Sequence, residues 1–185
     1  MSTVHVPVHV AVLVGSLRAD SLNRRLAETL REAAPAGVQL DIVDELGEIP
    51  FYNEDLDTPA SIPAAAERLR AAIASADRVL AVTPEYNGSV PAVLSNALDW
   101  LSRPYGAGAI AGKPFGVVGA TPTPYGGQWA HGAAARSAGI AGAKVVEEVT
   151  VSQSAVGVDV LTDDGVRDRL LAALALLVRT EPTAA

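Results

Sequence analysis

The chain has 185 residues, with 14 Lys+Arg against 21 Asp+Glu for a formal charge of −7, and no cysteine. That length suits one domain with a sizeable buried core and leaves no room for a second substantial one. The charge disfavours a sugar–phosphate partner, so no nucleic acid is expected, and the missing cysteine excludes thiol nucleophiles, CxxC redox pairs and cysteine-ligated metals.

Hydrophobic residues make up 49% and charged residues 19%, a globular rather than a disordered composition. The apolar run Val6 to Val14, interrupted by His9, is too short to span a bilayer, and no cationic segment precedes it. A soluble cytoplasmic protein without a membrane partner is the expectation. A single phosphate can still be held against the average field, because a few amides and hydroxyls suffice. The three histidines, His5, His9 and His131, show no metal-binding spacing. His9 alternates with apolar residues and reads as a packed or edge side chain.

In chain order, Val8 to Val14 is a β-branched run ending in Gly15-Ser16. A helix follows, with Leu22, Leu26, Ala27 and Leu30 at helical spacing. Val38 to Val43 reads as a second strand, and Asp44 to Pro63 as a long polar connection. A helix spans about Ala64 to Ala74, and Arg78 to Thr83 is a short apolar strand ending at Pro84. Pro91 suits the first turn of a helix containing Val93, Leu94, Ala97, Leu98 and Leu101. Phe115 to Gly119 is a fourth strand, followed by a Pro/Gly-rich loop to Gly127 and a weaker helix. Lys144 to Val151 is a candidate fifth strand. Asp163 or Asp164 caps a closing helix through Leu170, Leu171, Leu174 and Leu177, and the tail after Val178 is expected to fray.

Apolar strands alternating with helices predict a parallel sheet covered on both faces. Ligands bind such sheets at the carboxyl ends of the strands. That rule selects the segments after Val14, Val82 and Gly119.

The first, Gly15-Ser-Leu-Arg-Ala-Asp-Ser-Leu-Asn23, offers a glycine turn, the hydrogen-bonding Ser16, Ser21 and Asn23, the cationic Arg18 and a helix N-terminus. It lacks GxGxxG and P-loop spacing, and so suits one phosphate better than a pyrophosphate. Taken alone, it fits equally an ordinary strand-to-helix turn with Ser21 or Asp20 as N-cap. The second segment, Thr83-Pro-Glu-Tyr-Asn-Gly-Ser-Val-Pro91, combines a stiff turn with the aromatic Tyr86 and the bifunctional amide of Asn87. A packed Tyr86 and a turn residue Asn87 would explain the same letters. Trp100 reads as core or subunit interface rather than as a stacking platform.

Together, Gly15–Asn23, Pro84-Glu-Tyr-Asn-Gly-Ser-Val-Pro91 and Asn96-Ala-Leu-Asp-Trp100 resemble the NAD(P)H-dependent FMN reductase family, which includes quinone, chromate and azo-dye reductases. The resemblance runs from about Val8 to the closing helix. It implies a flavodoxin-like, doubly wound three-layer sandwich: one domain over 1–185 with its core at about 8–178, and a five-stranded parallel sheet in the order 2-1-3-4-5. It implies that Ser16, Arg18, Ser21 and Asn23 surround the FMN phosphate, and that Pro84, Glu85, Tyr86, Asn87 and Gly88 border the ribityl chain and ring. The third loop, Thr121-Pro-Thr-Pro-Tyr-Gly-Gly127, is similar to the family's Ser-Pro-Gly-x-x-Gly-Gly segment, adding Thr121, Gly126 and Gly127 to the cofactor-binding set. Thr123 replaces a usual glycine, Trp129 stands where arginine is frequent, and Ser95 replaces a frequent lysine.

The implied activity is ping-pong transfer of electrons from NADH or NADPH, through bound FMN, to a small acceptor such as a quinone, free flavin, azo compound or chromate. With the chemistry carried by the cofactor, no catalytic side chain is required. Glu85 is expected to shape its loop or pair with a cation across a subunit contact, and Arg18 to serve phosphate binding. Tyr105 and Tyr125 are expected to line the substrate approach, and Tyr52 and Asn53 to cover a partner in a homodimer or dimer of dimers. A flavodoxin-type electron carrier and a flavin redox-sensing regulatory domain are the alternatives.

Overall fold

The computed structural model describes residues 7–183, so His5 and Val6 lie outside the described residues. Six strands form one parallel sheet: β1 (Val8–Val14), β2 (Val38–Val43), β3 (Arg78–Val82), β4 (Pro114–Thr121), β5 (Lys144–Val145) and β6 (Val151–Ser154). The order is β2-β1-β3-β4-β5, with β6 also paired to β4.

Alternation along the strands sends side chains to two separate cores. Ala11, Leu13, Val79, Ala81, Phe115 and Val117 pack against helices α2 (Ala64–Ser75), α3 (Ala92–Leu101) and α4 (Gln128–Ile140). Val10, Val12, Leu80, Val82, Val118 and Ala120 pack against α1 (Leu22–Glu32) and α5 (Asp164–Arg179). Both faces of β1, β3 and β4 are therefore covered, which is why these strands read as unbroken apolar runs. This is the flavodoxin-like three-layer arrangement expected from the sequence.

The fifth strand differs from the expected continuous Lys144 to Val151. Its first piece pairs Phe115 with Val145, and its second pairs Val118 with Val151. The excess chain between them folds into a 3-10 turn, Glu147–Val149, whose buried Val149 packs over Gly116. The tail also departs from expectation. Lys144 Nζ donates to the Glu181 carbonyl (2.8 Å) and the Thr183 amide donates to the Gly112 carbonyl (2.9 Å), pinning the chain after α5. Pro91 sits at the N-cap of α3 rather than inside its first turn. Among the described residues, no helix is long and apolar enough to cross a membrane.

Candidate functional site

The loops after β1, β3 and β4 meet at one end of the sheet because their bases are packed without slack. The Gly15 amide donates to the Val82 carbonyl (3.0 Å), and a Cβ on Gly15 would come 2.2 Å from Thr83 Oγ1. A Cβ on Gly119 would come 2.1 Å from the Thr83 carbonyl oxygen and 2.9 Å from both Asn23 Oδ1 and His131 Nε2. The glycine after β1 is thus required for close approach to β3.

In the first loop, Ser21 is the N-cap of α1: its Oγ accepts from the Arg24 amide (3.1 Å). That leaves its hydroxyl proton free to donate. Ser16 is half-buried and Arg18 is exposed, and neither side chain is committed to a hydrogen bond within the described residues. No acidic residue occupies the first turn of α1, so its amides carry no carboxylate there. Asn23 behaves differently. Its Nδ2 donates to the Ala120 carbonyl and its Oδ1 accepts from the Ala120 amide, both at 2.9 Å. The buried amide thereby acts as a short piece of strand, joining α1 to the end of β4.

The second loop spends its carboxylate and its backbone on the protein itself. Glu85 Oε2 accepts from the amides of Trp129 and Ala130, both at 3.0 Å. It thereby caps α4, whose own N-cap, Gly127, has no side chain to offer. Glu85 therefore shapes its loop within this chain. Tyr86 and Ser89 exchange both backbone hydrogen bonds at 3.0 Å around Asn87 (φ 53°) and Gly88 (φ 69°). Two consecutive positive φ values make this an Asn-Gly type I′ turn, with Asn87 exposed at its tip.

In the third loop, Thr121 is buried and its Oγ1 lies 2.9 Å from Thr123 Oγ1. Gly126 and Gly127 both take positive φ and lead directly into α4. The tilted pair Tyr125–Trp129 (centroids 4.7 Å apart) is half-exposed beside them.

One cleft of about 280 Å³ collects Ser16, Arg18, Ser21, Asn23, Pro84, Glu85, Tyr86 and Thr121 with Leu22, Ala120, Pro122 and Thr123. It brings together eight of the twelve cofactor-binding residues expected from the sequence. Asn87, Gly88, Gly126 and Gly127 stand outside its walls and act on them through turn geometry. Larger hollows lie elsewhere, as along the β2 edge (about 600 Å³), but away from the carboxyl ends of the strands. The cleft's charged side chains are Arg18 and Glu85, and the carboxylate is already engaged with α4. Its free polar atoms therefore favour an anion despite the chain's net negative charge.

The Asn96–Trp100 part of the motif has a structural task. Asn96 accepts from the Tyr52 amide (2.8 Å) and donates to the carbonyls of Ile49 and Pro50, and Trp100 Nε1 donates to the Pro50 carbonyl (2.8 Å). The long connection after β2 is thereby stapled to α3. Tyr52 packs edge-on against the buried Trp100, and the exposed Asn53 caps its own 3-10 turn.

Sequence reasoning missed His131. It is fully buried under the cleft, with Nε2 3.1 Å from the Thr83 carbonyl oxygen and Nδ1 2.7 Å from Ser152 Oγ. Burial lowers its pKa and keeps the ring neutral, against smaller opposing effects of the Thr83 carbonyl and the Glu85 charge. The available signal was its position, just beyond the Gly126-Gly127 pair that ends the third loop.

Comparison with known proteins places the chain in a family. A family model described as NADPH-dependent FMN reductase matches residues 8–156. A quinone reductase of Pseudomonas putida is 50% identical over 128 residues, 69% of this chain and 68% of the relative. A quinone reductase of Escherichia coli K12 is 41% identical over 125 residues, 64% of this chain and 66% of the relative. Among solved structures, the flavoenzyme NAD(P)H:(acceptor) oxidoreductase FerB from Paracoccus denitrificans superposes with a TM-score of 0.80 at 34% identity, covering 92% of this chain and 94% of that one. These relatives are reductases, which favours an enzyme over an electron carrier or a redox sensor. The chain belongs to the NADPH-dependent FMN reductase family and is an oxidoreductase of flavodoxin-like fold.

Proposed function

We propose that this chain holds FMN in the cleft at the ends of β1, β3 and β4, takes reducing equivalents from NADH or NADPH, and passes them to a small acceptor of the quinone type. The observation that carries the site is the pairing of uncommitted donors with an acid-free helix N-terminus. Ser16, Ser21 and Arg18 sit beside the first turn of α1 and line the same cleft as Tyr86 and Pro84. That donor set fits a phosphate monoester, and the loop walls fit a flat ring.

In this reading Ser16 and Ser21 donate hydroxyl protons to phosphate oxygens, and Arg18 neutralises their charge at the rim. Asn23 works from below, fixing Ala120 so that the third loop keeps its distance from α1. Glu85 ties the second loop to α4, and the Asn87-Gly88 turn presents Tyr86 at the opening. Bound FMN would supply the hydride acceptance and onward electron release, so the residues need to bind and orient rather than transfer protons themselves. The half-exposed Tyr86 leaves room at the mouth for donor and acceptor to dock in turn.

The working unit is one domain with its core at about 8–178, acting in the cytoplasm, where nicotinamide donors diffuse freely. A homodimer or dimer of dimers is supported by the exposed apolar side chains Tyr105 and Ile140, which share a hollow between α3 and α4. Anaerobic addition of NADH or NADPH to the FMN-loaded protein tests the function. Bleaching of the flavin absorbance, with parallel double-reciprocal lines in steady state, is the expected result. An unbleached flavin would overturn the reading.

A further inference from the structure

The fully buried imidazole of His131 is hydrogen-bonded at both nitrogens, and its surroundings fix which nitrogen carries the proton. The Thr83 carbonyl can only accept, so Nε2 must donate to it across 3.1 Å. Nδ1 is then a lone pair that accepts from the Ser152 hydroxyl across 2.7 Å. The Thr83 carbonyl thus selects the tautomer, and Ser152 on β6 holds the ring in place by donating to its remaining nitrogen.

That carbonyl is the point from which the second loop departs: the residues immediately after Thr83 are Pro84, Glu85 and Tyr86 of the cleft wall. The same ring fills the space opposite two glycines. Cβ atoms there would stand 2.9 Å from Nε2 at Gly119 and 3.2 Å from it at Gly127. Gly119 precedes Ala120 and Thr121 of the opposite wall. One imidazole therefore touches the bases of both walls and the start of α4 without reaching the cleft itself.

We infer that His131, oriented by Ser152, is a positioning residue that sets the spacing between the second and third loops, and through it the affinity of the cleft for FMN. The inference rests on FMN occupying this cleft. A purely space-filling histidine would owe nothing to its tautomer or to Ser152. A tautomer-dependent one is mimicked by glutamine, whose amide can donate to Thr83 and accept from Ser152.

The test combines nitrogen NMR of the imidazole in FMN-free protein with flavin fluorescence titration of variants, each checked by thermal unfolding without FMN. The expected resonance pattern is that of an Nε2-protonated neutral ring. His131→Leu should weaken FMN binding about tenfold, Ser152→Ala about threefold, and His131→Gln less than about twofold. Adding Ser152→Ala to His131→Leu should change nothing further, since the link is already cut. Folded Ser152→Ala protein with wild-type affinity would overturn the inference, as would His131→Gln binding no better than His131→Leu, or an Nδ1-protonated ring. Ser16→Ala serves as the control for the cleft. If it weakens FMN while Ser152→Ala and His131→Leu do not, only the positioning role fails. A wild-type protein that does not quench the flavin overturns the FMN reading and this inference together.

Discussion

The loop after β1 and the loop after β3 end at the same cleft but are built in opposite ways. The first presents uncommitted groups, Ser16, Arg18 and the Ser21 hydroxyl proton, beside a first helical turn free of acids. The second is anchored through its base and backbone: the Thr83 carbonyl with His131, Glu85 with α4, and the Tyr86 backbone with that of Ser89 across the Asn87-Gly88 turn. The contrast teaches that two equally specific motifs can serve a site differently. One offers atoms to a ligand; the other holds a shape.

Substitutions can break this division. The largest effect is expected at the shared base. Gly119→Ala would drive a methyl into the Thr83 carbonyl, costing about 3 kcal/mol of stability in urea unfolding and loosening both loops at once. Next is Arg18→Ala on the open side, which should weaken FMN by about 2 kcal/mol in a fluorescence titration while leaving unfolding of the FMN-free protein unchanged. Glu85→Ala should show the reverse emphasis. Uncapping α4 costs about 1 kcal/mol in the FMN-free protein, and any affinity loss follows from the moved loop.

A smaller test separates turn from contact at Asn87. Because its φ is 53°, Asn87→Gly should preserve FMN affinity whereas Asn87→Ala should lower stability by up to about 1 kcal/mol. Equal loss of affinity in both variants would make Asn87 a ligand contact and erase the distinction between the loops.

The mildest effect is in pH. Burial holds His131 below its ordinary value near 6.5, so the unfolded chain takes up a proton that the folded chain refuses as pH falls through that value. Stability should therefore decline as pH falls below about 6.5, and that slope should shrink in His131→Gln. Asp57 has the opposite placement. Its bidentate bond to Arg70 lowers its pKa, so its contribution is lost only as pH falls below the ordinary carboxylate range, outside that window.

What the sequence made legible follows from how local each signal is. Strands buried on both faces announce themselves as apolar runs, and the Ser21 and Asp163 caps lie next to the helices they start. The break between β5 and β6 carries no such mark. Glu147–Val149 contains neither glycine nor proline, and its cause is the fit of Val149 over a glycine in another strand. The role of Asn23 was hidden for the same reason, since its partner Ala120 is remote in the chain. Asn96 and Trp100 belong to a recognisable motif, yet only the fold shows that they staple the segment around Pro50. His131 is further still from legibility, being a lone histidine in an alanine-rich helix whose partners come from β3 and β6.

The proposed division gives the phosphate to the β1 loop and the shape of the wall to the β3 loop. Titrating the FMN-free protein with FMN and with riboflavin, which lacks the phosphate, tests it most directly. FMN should bind at least about tenfold tighter, an advantage that Ser16→Ala and Arg18→Ala each reduce and Glu85→Gln leaves in place. Equal affinity for the two flavins would contradict it.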